Sequence, residues 1–191
     1  MKFSDETSMR LYRQTVEDFG LYTGKELSEE EMEALRISAG QMSAKMRAVR
    51  IVSASSVSKQ DLQQRLVQKG EDPEQARNAV QWMSELNLLD DARVAEQVVQ
   101  RCISKGYGLS RAKQALYEKR IPKQYWDAAL EDYPEQSDRI EDFLKSRLNA
   151  DSDGKEVKKA IDALMRRGHS YGAIRRAMNG LSFEAEEFPE E

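Results

Sequence analysis

Cysteine and histidine occur once each, as Cys102 and His169, in a chain of 191 residues. Zinc sites built from Cys and His need several such ligands, so that chemistry is excluded, and no metal or cofactor is expected. A single cysteine forms no internal disulfide, and the chain is read as cytoplasmic. Long hydrophobic runs are also missing: no stretch approaches the roughly 20 apolar residues of a membrane helix, and Met1 to Arg10 hold no segment suited to a signal peptide. The phosphate-cradling patterns GxxxxGK[ST] and GxGxxG after a strand are absent, as is the GxSxG of serine hydrolases. One nucleophilic pair is conceivable, Cys102 with His169. Cys102, however, lies in VVQRCIS beside Val98 and Val99 on a helical pattern, which suits a small buried hydrophobe. No enzymatic activity is expected.

Apolar residues make up 39% of the chain and charged residues 34%, a balance that favours several small, surface-rich units over one thick core. An internal repeat provides such units. Leu62, Leu66, Gly70, Ala76, Val80 and Met83 recur fifty positions later as Ala112, Leu116, Arg120, Trp126, Leu130 and Tyr133. They recur again, ninety-eight positions on, as Ala160, Leu164, Gly168, Ile174, Met178 and Leu181. Each copy carries helix punctuation: Ser58, Ser110 and Ser170 as N-caps, and Asp72-Pro73 as a cap followed by proline at the first helical position. Pro122 is expected to start a helix in the same way. Lys69-Gly70 and Arg167-Gly168 read as C-termini, and Arg120 stands where the other copies have glycine.

A further helix precedes each pair, marked by Ala44, Ala48, Val49 and Val52, then Val94, Val98, Val99 and Cys102, then Ile140, Phe143, Leu144 and Leu148. Three helices of about 10 to 14 residues therefore form one unit. The pattern predicts an all-α, elongated, curved array of tandem three-helix repeats with a helical N-terminal extension. The extension covers 1–41, the repeats 42–89, 90–134 and 137–181, and an acidic tail 182–191. In the extension, Met9, Tyr12, Val16 and Phe19 form a helical stripe, and Ser28 with Glu31 forms a capping box. From there Met32, Leu35, Ala39, Met42, Met46 and Val49 predict one long helix running into the first repeat, packed on its own neighbours rather than in a coiled coil.

The net charge of −4 hides a strong asymmetry. Residues 1–40 carry five basic and nine acidic groups, and the tail after Leu181 carries five glutamates and no base. Residues 101–125 hold seven basic groups against one acidic, and residues 155–180 hold seven against two. Two such clusters on consecutive repeats can form a basic stripe for phosphates or for an acidic protein groove. The candidates are Arg111, Lys113, Lys119, Arg120, Arg166, Arg167, Arg175 and Arg176.

LNLLDDARVAEQVV, SKGYGLSRAKQALYEKRIP and ALMRRGHSYGAIRRAM resemble, in order and spacing, the three signature stretches of the RecX regulatory proteins. SKQDLQQRLVQKG is similar to the first helix pair of that family, and GLYTGKELSEEEMEAL resembles its N-terminal extension more loosely. The resemblance covers about residues 42–181. It implies a curved molecule that lies in the groove of the RecA recombinase filament on single-stranded DNA and restrains filament growth, ATP hydrolysis and strand exchange in recombination, repair and the SOS response. The chain is read as a monomer with no membrane partner and with weak binding to naked DNA, and the eight basic residues above are the candidates for contact with the filament. Val94 stands where many relatives carry an aromatic, and Asp90 and Asp91, which match the family, read as a helix cap and first-turn charge. Gly106, Tyr107 and Gly108 read as a joint between repeats. Two other classes of function fit the residues alone: a stand-alone DNA-binding regulator using the same stripe, or a helical adaptor with Met32, Met42 and Met46 as its interface.

Overall fold

A computed structural model describes residue 3, residues 8–149 and residues 151–181. The acidic tail lies outside the described residues. All elements of the described residues are helical: α1 (Arg13–Asp18), α2 (Glu29–Ala54), α3 (Lys59–Gln68), α4 (Pro73–Glu85), α5 (Asp91–Ser104), α6 (Leu109–Glu118), α7 (Trp126–Leu130), α8 (Ser137–Arg147), α9 (Gly154–Arg166) and α10 (Tyr171–Gly180). The chain divides into two compact units at Asp90/Asp91.

In the first unit, α2 runs unbroken from the N-terminal segment into the first repeat. Ser28 starts it: its hydroxyl accepts from the Glu31 N–H at 3.1 Å while the Glu31 carboxylate accepts from the Ser28 N–H at 2.9 Å. Three glutamates in its first turn face the positive end of the helix dipole. Short α1 packs on α2, and the C-terminal half of α2 packs on α3 and α4. Leu62, Leu66 and Ala76 are completely buried there. The turn between α3 and α4 is tied back to α2 by Glu71, a buried carboxylate that accepts from Ser43 Oγ at 2.9 Å and pairs with Arg47 Nε at 2.5 Å.

The second unit holds α5–α7 and α8–α10. The fifty- and ninety-eight-residue offsets are structural as well as textual. Leu66, Leu116 and Leu164 are all fully buried, and Gly70, Arg120 and Gly168 all have positive φ, at 89°, 52° and 88°. Arg120 thus adopts the left-handed turn that glycine fills in the other copies. Val94 is buried in the core of the second repeat with Val98, Leu116 and Ile121. Asp91 opens α5 as its first-turn acid, with Asp90 immediately before it.

Two local expectations are corrected. Ser110 is not an N-cap; α6 begins earlier, with Gly108 at the cap position. Pro122 does not open an α-helix, because Lys123–Tyr125 forms a 3-10 turn and α7 has only five residues. The Trp126 indole N–H donates to the Ile121 carbonyl at 3.0 Å, which tightens this entry. Pro134 then disfavours a helical conformation at the residue before it, Tyr133.

Candidate functional site

The second and third repeats meet through their turns. α5 ends in a left-handed Gly106 (φ 65°), with the Tyr107 N–H donating to the Cys102 carbonyl at 2.9 Å. α9 ends in the same way at Gly168, with the His169 N–H donating to the Leu164 carbonyl at 3.2 Å. These two ends are bonded to each other: the Gly108 N–H donates to the Arg167 carbonyl at 2.9 Å, and the Ser110 N–H to the Gly168 carbonyl at 3.2 Å. This explains the cap correction. An orphan N–H in the first turn of α6 takes its acceptor from the third repeat instead of from a side chain in its own chain segment.

Side chains reinforce the joint. Tyr133 donates its hydroxyl to the Tyr107 carbonyl at 2.6 Å, and Gln136 Nε2 donates to the Ile103 carbonyl at 3.1 Å. Burial, with a smaller contribution from Cys102, pushes the Tyr133 phenol up to about 12. His169 is buried, with Nε2 at 3.1 Å from the Gly106 carbonyl. A carbonyl only accepts, so Nε2 carries the proton of the neutral ring. Nδ1 is buried with no hydrogen-bond partner among the described residues. Burial lowers the His169 pKa below its ordinary 6.5, the Gly106 carbonyl opposes the shift and Arg167 adds to it.

The stabilisation that depends on neutral His169 is therefore complete above pH 6.5 and declines as pH falls. Over that range the unfolded chain takes up the proton before the folded one does. Urea midpoints measured at pH 7.5 and 5.5 are expected to fall at the lower pH, and His169→Gln is expected to flatten the difference. An equal fall in the variant would assign the effect to other groups.

The same joint argues against a nucleophilic Cys102. Its thiol is buried, and burial raises its pKa despite the attraction of Arg111 and Lys105, whereas an activated thiol is lowered. His169 is committed to Gly106. Among the described residues, no group of His, Cys, Asp and Glu could hold a metal ion, and no helix is long and apolar enough to cross a membrane.

The basic candidates are not equivalent. Arg111, on α6, reaches Glu118 at 2.9 Å, and Arg176, on α10, pairs with Glu135, so each is partly neutralised within the chain. Lys113, Arg166 and Arg175 are exposed. Lys119 caps α6 and Arg120 forms the left-handed turn after it; both are half-buried. Folding brings Arg111 against Gly168 at the joint: a Cβ placed on Gly168 would lie 2.3 Å from the Arg111 backbone nitrogen. The guanidinium of Arg167 lies 5.1 Å from the centre of the Phe143 ring. Arg147, absent from the sequence-based set, lies 5.7 Å from the same ring. The Phe143-to-Arg147 spacing of four was a readable helical pair. Its convergence with Arg167, on another helix, was not.

Comparison with known proteins places this architecture. The family model for the second three-helix domain of RecX matches residues 90–130, which contain α5, α6 and α7. The regulatory protein RecX of Vibrio campbellii is 30% identical over 160 residues, spanning 80% of this chain and 98% of that one. The chain belongs to the RecX family. RecX of Clostridioides difficile is 24% identical over 93% of this chain and 86% of its own. A crystal structure of regulatory protein RecX superposes with a TM-score of 0.66 at 19% identity, covering 93% of this chain and 91% of that one. RecX membership accounts for the tandem three-helix repeats, and its relatives are named as regulatory proteins rather than enzymes.

Proposed function

We propose that this RecX-family chain binds the RecA recombinase and its filament on single-stranded DNA, and restrains filament extension, ATP hydrolysis and strand exchange. The observation that carries the reading is the match to a RecX regulatory protein over almost all of that relative's length. The physical character of the second unit supports it. Arg166, Arg167 and Arg175 are exposed there, while the only cysteine is buried and its thiol pKa is raised. Arg111, Lys113, Lys119, Arg120 and Arg176 complete the proposed contact set, in a monomer acting in the cytoplasm. Such a surface suits binding to phosphates or acidic protein grooves.

The test is the single-stranded-DNA-dependent ATPase of RecA from the same organism, with this protein titrated from far below to equal molarity. A fall at substoichiometric amounts is expected, because blocking filament growth lets few copies affect many protomers. No change up to equimolar protein with an intact helical circular-dichroism spectrum would overturn the proposal. Steep salt-dependent binding to naked DNA without any effect on RecA would favour a stand-alone DNA-binding regulator instead.

A further inference from the structure

We infer that the groove between α2 and α4 is a docking site for an extended, uncharged peptide segment of a partner protein, held through its main chain and anchored by two apolar side chains four residues apart. The inference uses only residues of the first unit and does not depend on the regulatory reading above.

The two helices approach closely because small residues meet between them. Ala44, Ala48, Ala76 and Ala79 are buried in the core of this unit, and a Cβ on Gly40 would lie 3.7 Å from Gln75 Cγ. Longer side chains beside this seam line a groove of about 310 Å³. Small-molecule pockets hold roughly 300–1,000 Å³ and are lined mainly by apolar groups. This groove is at the bottom of that range and its walls are mostly amides, so it does not suit an enclosed small molecule. Gln41 and Asn78 are exposed, and among the described residues their side chains are in no hydrogen bond. Gln75 Oε1 is buried, also without a hydrogen-bond partner among those residues. A buried acceptor without a donor is unfavourable, and the terminal torsion of glutamine is broad enough for the amide to turn toward an incoming N–H.

Charge and hydrogen bonding select the occupant. The groove holds one cation and one anion, and both are engaged: the Lys45 ammonium lies 5.3 Å from the centre of the Trp82 ring, and Glu85 accepts from Gln81 Nε2 at 3.0 Å. With no net charge, it attracts neither a polyanion nor an acidic peptide. Each amide offers a donor and an acceptor, the same pair that a peptide group offers. A helix satisfies its main-chain groups internally, whereas an extended segment keeps them free, so amide walls favour the extended form. Apolar anchors stand at the two ends. Trp82 packs on the core of the unit at the level of Lys45, and Ile37, 46% exposed, lies one turn before Gln41 on the same face of α2. At 1.5 Å per residue, Ile37 and Lys45 are about 12 Å apart along the helix. In a strand, residues i and i+4 point to one side and are about 13 Å apart, which matches.

The test is a selection of random heptapeptides displayed on phage against the immobilised full-length protein, with soluble Q41A/N78A protein as competitor. Enrichment of uncharged sequences with apolar residues at i and i+4 is expected. A capped synthetic peptide of that consensus, followed by fluorescence anisotropy, is expected to bind Q41A/N78A at least about tenfold more weakly than wild type. Both replaced side chains are exposed, so the circular-dichroism spectrum should not change. Methylating the peptide's main-chain nitrogens between its two apolar residues is expected to weaken binding at least about tenfold as well, which a site that reads only side chains would not show. Failure to enrich any sequence over the competitor would overturn the proposal, as would equal binding by the folded double variant. Enrichment of acidic sequences would assign the groove to a charged partner. Apolar spacing of three, four and seven with no effect of methylation would assign it to a helix, and either result overturns the extended segment. Because RecA is absent from every arm, the regulatory reading stands or falls separately on its ATPase assay.

Discussion

Gly108→Ala lowers the stability of the second unit by about 4 kcal/mol, because the new methyl group meets backbone and not a yielding side chain. A Cβ on Gly108 would lie 2.1 Å from the Gly168 carbonyl oxygen and 2.4 Å from the His169 nitrogen. The turns must separate to admit it, and separation breaks the bonds from Gly108 to Arg167 and from Ser110 to Gly168. The conformation of Gly108 itself, φ −78° and ψ 167°, is open to any residue, so the loss is one of close approach and not of backbone freedom. For a unit of about 100 residues this corresponds to a fall in melting temperature of at least about 15 °C. Gly154→Ala is the matched control: a Cβ there meets nothing within 4 Å, and stability is expected to stay the same or rise slightly. Thermal melts of the two variants check the difference, and equal melting temperatures would show that the joint is not tight in solution.

Reversing two charges, in R166E/R167E, is expected to weaken binding to the RecA filament roughly 100-fold, which corresponds to about 2.7 kcal/mol. Both side chains are exposed and outside ion pairs among the described residues, so they are available to a partner. The cost to the fold is smaller. Acidic residues at the C-terminal end of α9 oppose its dipole by about 0.3–1 kcal/mol each, and loss of the Arg167–Phe143 contact removes about 0.5–1 kcal/mol. Helicity should therefore survive while binding fails. The gap between wild type and variant should narrow as salt rises, because exposed charges are screened. Wild-type filament affinity in a folded double variant would remove both residues from the contact surface.

The repeat was readable because its signals are local. Leu66, Leu116 and Leu164 are apolar at matching points of a helical stripe, and the chain reverses just after each of them whatever surrounds it. Arg120 shows the strength of that signal: it keeps the left-handed turn although it lacks the freedom of glycine. The long α2 was equally legible, since Ser28 and Glu31 mark its start and no proline intervenes before the first repeat. The five-residue α7 was not, because its length depends on the bond from Trp126 to Ile121 and on the 3-10 entry.

The basic site divides along the same line. Composition located the clusters around Arg111 and Arg166, but it could not distinguish the arginine neutralised by Glu118 from the exposed ones. Ser110 resembled a cap because a hydroxyl before a helical stripe usually is one. At this position the required acceptor comes from Gly168, far along the chain.

The helical class and the three-fold repeat follow from residue type at spacings of three to four, and the positive charge of residues 101–125 and 155–180 follows from composition. Folding alone brings Gly108 and Gly168 together backbone to backbone and sets Arg147 and Arg167 on the Phe143 ring. Those contacts join residues distant in sequence, and their geometry is set by how closely two turns can pack when neither carries a side chain at the point of contact.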